Sequence, residues 1–144
     1  MGISRNATAH WSGDLKSGSG TISTPQSDLM QETAYGFNTR FGDKKGTSPE
    51  ELIAAAHAGC FTMALSNALA QAGYVAEAVD TRAEVDLSME GGPNLSAIRL
   101  MTKAKVPGID KDKFLEIAED AKVNCPVSKA LSAVPISLEA ELLA

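Results

Sequence analysis

Apolar positions change their spacing several times along this chain, and each change marks an element. Across residues 79–89 the alternation is almost unbroken. Val79, Ala83, Val85, Leu87 and Met89 share one face; Asp80, Arg82, Glu84, Asp86 and Ser88 share the other. Gly91-Gly92-Pro93 then turns the chain. Ile98, Leu100, Thr102, Ala104 and Val106 form a second apolar face with Arg99, Lys103 and Lys105 opposite. A period of two on both sides of a turn, acidic on one run and basic on the other, predicts an antiparallel hairpin with one covered face. Val134, Ile136, Leu138, Ala140 and Leu142 predict a final strand. Residues 8–11 and 20–23 read as short strands around a glycine-containing turn. A hairpin that small needs the rest of the protein, or a second subunit, to bury its face. Tyr35, Phe37, Thr39 and Phe41 also alternate, which predicts one more strand with Arg40 on its other side.

Elsewhere the spacing is helical. Ser48-Pro49-Glu50-Glu51 is a start signal: Ser48 as N-cap, Pro49 as first helical residue, and Glu51 as the acid that completes a capping box. The helix is expected to run to Ala72 and stop at Gly73, spanning roughly 36 Å at 1.5 Å per residue. The stretch from Leu52 to Ala76, which includes most of this helix, carries no charged residue. A helix apolar nearly all round must be enclosed on most sides, which points to a central position and to pairing with a second copy. Asp110 caps another helix, whose stripe of Phe114, Ile117, Ala118 and Ala121 extends to Cys125. Residues 126–131 predict a short helix. Strands, helix, hairpin, helices, strand is the order of an α+β protein.

The chain has 144 residues, 44% hydrophobic and 22% charged, with a net charge of -5. That suits a single domain, 1–144, with an adequate core and no linker or repeat. Thirteen basic residues are scattered without a stripe, so nucleic-acid binding is not expected. No secretory leader is expected at the N-terminus. Met1-Gly2 opens like a myristoylation signal, but Asn6 stands where Ser or Thr is needed. The uncharged helix is Ala-rich and interrupted by His57, Ser66, Asn67 and Gln71, the pattern of a buried helix in a soluble, cytoplasmic protein and not of a membrane span.

The chemistry lies with the two cysteines, Cys60 and Cys125. In a cytoplasmic chain such a pair suggests redox work before structural work. About 3% of an ordinary thiol is ionised at pH 7. Cys60 lies some three turns inside its helix, beyond help from the helix terminus, and burial among Ala and Leu raises its pKa. To react it needs a cation, and Arg40 is the best candidate. Glu50, not required by the cap, could hold Arg40 in a bidentate ion pair. Cys125 precedes Pro126 at a helix start, whose positive end can stabilise a thiolate, so local electrostatics favour Cys125 as the nucleophile. The local reading leaves open which sulfur attacks first, and whether either is more than an inert thiol. His57, three residues before Cys60, is either a proton partner or a core hydrogen-bonding group. His10 and His57 have no metal-ligand spacing, and no glycine run has the spacing of a nucleotide-binding loop, so no metal or cofactor is expected.

These same residues carry a resemblance. Segments 9–14, 35–41, 47–66 and 124–129, with the helix motif Ala56-His57-Ala58-Gly59-Cys60-Phe61 and the run Cys125-Pro126-Val127-Ser128, resemble the OsmC (osmotically inducible protein C) family of thiol peroxidases nearly end to end. The match is better than to its sister group, the organic hydroperoxide resistance proteins. Gly59, where Ala often precedes the cysteine, is one departure. The resemblance implies antiparallel sheets packed on a long central helix in an intertwined homodimer. It implies reduction of organic hydroperoxides, and less efficiently hydrogen peroxide, in oxidative or osmotic stress. It assigns Cys60 as the peroxidatic residue, Cys125 as the resolving one, and Arg40 and Glu50 as partners of the reactive thiol. It suggests an external dithiol of lipoyl type as the reductant. Two other functions stay in view: a redox sensor whose cysteines switch a surface, and a structural dimer with inert thiols.

Overall fold

A computed structural model describes residues 2–144; Met1, where the myristoylation reading begins, lies outside them. The chain divides into two compact units, one ending at Pro49 and the other Glu50–Ala144.

The first unit is a three-stranded antiparallel sheet, β1 (Thr8–Ser12), β2 (Ser19–Ser23) and β3 (Thr33–Tyr35), in that order, followed by a short helix α1 (Phe37–Phe41). Gly20 pairs with Trp11 on one side and Tyr35 on the other. A Cβ there would stand 2.5 Å from the Trp11 ring and 2.6 Å from the Tyr35 ring. Only glycine lets the two aromatics meet edge to face, 5.7 Å between centroids, across the middle strand.

The strand expected over 35–41 is instead the end of β3 and all of α1. Gly36 breaks the extended run. The Thr39 hydroxyl accepts from the Gly36 N–H at 2.7 Å and reaches the Thr47 carbonyl at 2.8 Å. Phe37 and Phe41 are four apart as well as alternate, so a helical turn brings their rings to 4.9 Å. Arg40 therefore lies in the last turn of a helix, its guanidinium 5.6 Å from the Phe41 ring, and not on the far face of a strand.

The second unit is built on α2 (Pro49–Gln71), β4 (Ala78–Ser88), β5 (Asn94–Lys105), α3 (Lys111–Asn124), α4 (Pro126–Ala130) and β6 (Ile136–Leu143). The α2 bounds fall where the Ser48-Pro49 start and the Gly73 stop put them; Gly73 adopts φ +95°, a conformation that suits glycine. β4 and β5 pair antiparallel with Ala83 opposite Leu100 and Glu84 opposite Arg99. Arg99 grips Asp86 with both Nη atoms, at 2.7 and 2.8 Å, and Glu84 with Nε at 3.0 Å. These hydrogen bonds lower both carboxyl pKa values. β6 joins β5 in parallel, not antiparallel as expected, so the sheet is mixed in the order β4-β5-β6. Periodicity fixes which side chains share a face but not strand direction. Direction follows from the crossover through α3 and α4, which returns the chain to the same end of the sheet.

Asp110 accepts from the Lys113 N–H at 2.9 Å and starts α3 as anticipated. Phe114, Ile117, Ala118 and Ala121 of its stripe are buried, in one core with Phe61, Leu65 and Leu69 of α2 and Leu100 and Ala104 of β5. α2 is long and apolar enough to cross a membrane by length and composition. Its stripe of His57, Phe61, Leu65 and Leu69 is buried at helical spacing, the signature of a core helix. The expected enclosure on most sides is not met within one chain: Met63 is 75% exposed.

A run of hydroxyls fastens α2 to the sheet. Thr62 Oγ1 donates to Thr81 Oγ1 at 2.8 Å, Thr81 and Thr102 share a bond of 3.0 Å, and Thr102 Oγ1 donates to the Asp80 carbonyl at 3.2 Å. Thr81→Val keeps the shape and orphans the Thr62 donor. It is expected to lower stability by about 1–2 kcal/mol, seen as a lower urea midpoint at unchanged slope.

Candidate active site

Cys60 sits near the middle of α2, half-buried, and Cys125 sits at the junction of α3 and α4, fully buried; both are free thiols. The junction is dictated locally. Cys125 closes α3 through its N–H to the Ala121 carbonyl at 2.9 Å and opens α4 through its carbonyl to the Lys129 N–H at 3.0 Å. Pro126 forces the preceding residue out of helical geometry, and Cys125 is extended at φ −58°, ψ 125°. Because Cys125 continues the α3 stripe, its side chain turns into the core, where it meets Cys60. The two thiols pack in one core, close enough for each to shift the ionisation of the other. A second sulfur 65 positions along the chain is thus returned to the first.

The pair is electrostatically unequal. Burial pushes the Cys60 thiol up, and the neighbouring Cys125 sulfur pushes it further; the Val127 N–H opposes both only in part. Burial also resists ionisation of Cys125, but there the Cys60 thiol, the Ser128 N–H and hydroxyl, and the Val127 N–H outweigh it, so that its pKa is lowered. The amides act on the sulfur without closing a formal capping bond. This is the inequality that position along the two helices leads one to expect.

Access runs the other way. Cys60 lines an open groove of about 780 Å³ with Met63, Asn67 and Gln71 of α2, Asp120 and Asn124 of α3, and Pro126 of α4; Cys125 is not among the lining residues. A molecule entering the groove meets Cys60 first.

His57 and Ser128 complete the surroundings. His57 Nε2 lies 2.7 Å from Ser128 Oγ, both side chains buried. Burial holds the His57 pKa below the usual imidazole range. Of the two roles open to His57 on sequence, the hydrogen bond is the one formed, and its partner lies 71 residues away. Sequence reasoning misses Ser128; the signal is its place three residues after Cys125, where a helix start aims both its N–H and side chain back at the cap residue. Arg40 lies in the last turn of α1 in the first unit, and Glu50 in the first turn of α2 in the second. Among the described residues no group of three or more His, Cys, Asp or Glu is arranged to hold a metal.

Residues 42–139 match the family model described as OsmC-like protein. The chain is 48% identical to Peroxiredoxin OsmC of Escherichia coli over 143 residues, covering 99% of each. Among solved structures it is similar to the organic hydroperoxide resistance protein OhrB of Bacillus subtilis (TM-score 0.67, 25% identity, 94% of this chain and 98% of that one). An organic hydroperoxide resistance protein from Elizabethkingia anophelis shares the fold at TM-score 0.73 and 21% identity, over 99% of this chain and all of the other.

Proposed function

This chain belongs to the OsmC family, and from that premise we propose that it is a thiol-dependent peroxidase that reduces organic hydroperoxides, and hydrogen peroxide less efficiently, to alcohols or water. The observation that carries the reading is the contact between two free thiols, one facing an open groove and the other buried behind it. Access supports Cys60 as the peroxidatic residue, and the greater ease of ionisation suits Cys125 to the resolving step.

The reaction balances in three steps. The Cys60 thiolate attacks the terminal peroxide oxygen; an S–O bond forms, the O–O bond breaks, and the alkoxide leaves as alcohol after taking a proton. The Cys125 thiolate then attacks the Cys60 sulfenic acid; an S–S bond forms and hydroxide leaves as water. Last, an external dithiol of lipoyl type exchanges with the disulfide, which is reduced as the dithiol is oxidised.

Cys60 needs a cation, because its own surroundings in the second unit disfavour the thiolate. We assign that role to Arg40, oriented by Glu50, with the guanidinium also stabilising charge on the departing oxygen. The arrangement is proposed to operate as one 144-residue domain in an intertwined cytoplasmic homodimer serving stress defence; the exposed, uncharged face of α2 supports the dimer. The test is consumption of cumene hydroperoxide with dihydrolipoamide as reductant, with turnover expected. Arg40→Met is expected to slow the first, peroxide-dependent step roughly 10²-fold. No catalytic consumption by the wild type would end the reading, and an unaltered first step in Arg40→Met would end the assignment of Arg40.

A further inference from the structure

The peroxidase reading leaves His57 without a task, yet its burial is complete and only one of its ring nitrogens has a partner among the described residues. Nε2 meets Ser128 Oγ at 2.7 Å, and Nδ1 meets nothing. Ser128 is itself 5% exposed, lies three residues beyond Cys125 in α4, and its hydroxyl is close enough to the Cys125 sulfur to favour the ionised form. Imidazole, hydroxyl and thiol therefore form one buried cluster where α2 meets α4.

The direction of donation within that cluster follows from counting protons. A serine hydroxyl has one to give. Were it given to Nε2, the imidazole proton would sit on Nδ1, a buried N–H with no acceptor, which folded proteins almost never tolerate. The sulfur would then lose its hydroxyl donor too. With the imidazole proton on Nε2, Nδ1 presents only a lone pair, a smaller loss. His57 donates to Ser128, and the Ser128 proton is freed for the sulfur.

We propose that His57 and Ser128 are positioning residues for the second thiol: Nε2–H of His57 donates to Ser128 Oγ, which fixes the hydroxyl proton on Cys125 Sγ and holds that buried sulfur as a thiolate ready to attack the Cys60 sulfenic acid. The assignment deepens the two-cysteine reading above and rests on it. In the step it serves, the S–O bond of Cys60 breaks as the S–S bond forms. The proton lost when Cys125 ionises balances the one the departing hydroxide takes up, so no outside oxidant or reductant enters. The other groups facing the pair are few. Cys60 comes from α2, the Val127 amide from α4, and Asp120 of α3 lines the groove on which Cys60 opens.

The test is a titration of Cys125 alone, in a Cys60→Ser protein, followed by thiolate ultraviolet absorbance. Adding Ser128→Ala or His57→Phe is expected to raise the midpoint by about one pH unit, a tenfold loss of thiolate at fixed pH below it. Ser128→Thr, which keeps the hydroxyl, is expected to hold the midpoint. A purely structural pair would lower the melting temperature and leave the midpoint in place, and that result overturns the proposal. A second measurement needs no substitution: nitrogen NMR of the wild-type histidines should show His57 neutral with its proton on Nε2, and a proton on Nδ1 overturns the proposal. Neither measurement involves peroxide. A protein that passes both but turns over no hydroperoxide would sink the peroxidase reading alone, and an active peroxidase that fails them would sink only the relay.

Discussion

Cys60→Ser is expected to abolish peroxide turnover, with a loss of roughly 10⁴-fold or more, because a serine hydroxyl is neither ionised near neutral pH nor able to store the transferred oxygen as a sulfenic acid. The surroundings sharpen this expectation. Cys60 is the thiol that opens onto the groove, whereas Cys125 is fully buried. The second sulfur is the easier of the two to ionise but cannot be met by a bulky hydroperoxide. Substituting serine for Cys60 therefore leaves one buried thiol behind the wall of the groove and no sulfur nucleophile in it. A stopped-flow assay with cumene hydroperoxide reads the loss. Residual turnover within tenfold of wild type would mean that Cys125 attacks peroxide itself.

Cys125→Ser is expected to divide the cycle. The first peroxide equivalent should still be consumed in a burst, and Cys60 should stop at the sulfenic acid, open to dimedone. Steady-state turnover with a dithiol should fall roughly 10²-fold or more, since an oriented neighbouring thiol is replaced by one that must diffuse in. Mass spectrometry of the dimedone adduct on the Cys60 peptide checks the burst. The two substitutions separate oxidation from resolution: one removes the burst, and the other keeps the burst and removes the disulfide.

Much of this architecture could be read from residue order, and the reasons differ by element. The ends of α2 were legible because they follow from local chemistry: Pro49 suits a first helical position, and Gly73 takes the positive φ at which the helix stops. The β4–β5 hairpin was legible because its alternation runs for some ten residues on each side of Gly91-Gly92-Pro93 and its charges are complementary across the ladder. Residues 35–41 misled because Phe37 and Phe41 satisfy both a period of two and a spacing of four; a threonine hydroxyl turned back on Gly36 decided between them. The direction of β6 was hidden because alternation is the same read either way.

At the site, the two cysteines were conspicuous as residues, and their inequality followed from position along the helices. Their contact was not legible from local chemistry, since it depends on how the α3 stripe packs against α2. Nor was the bond between His57 and Ser128, which joins two helices 71 residues apart in sequence. The exposed face of α2 is the converse case. Its lack of charge is plain in the sequence, but a single chain buries only the stripe from His57 to Leu69.

In the proposed cycle peroxide oxidises Cys60, and Cys125 answers within the same chain. The most direct measurement treats the reduced protein with one equivalent of tert-butyl hydroperoxide, blocks remaining thiols, and maps the peptides by mass spectrometry without reduction. A Cys60–Cys125 disulfide is expected in nearly every chain, with two thiols lost per peroxide consumed. Both cysteines recovered as blocked thiols, with the peroxide intact, would contradict the cycle.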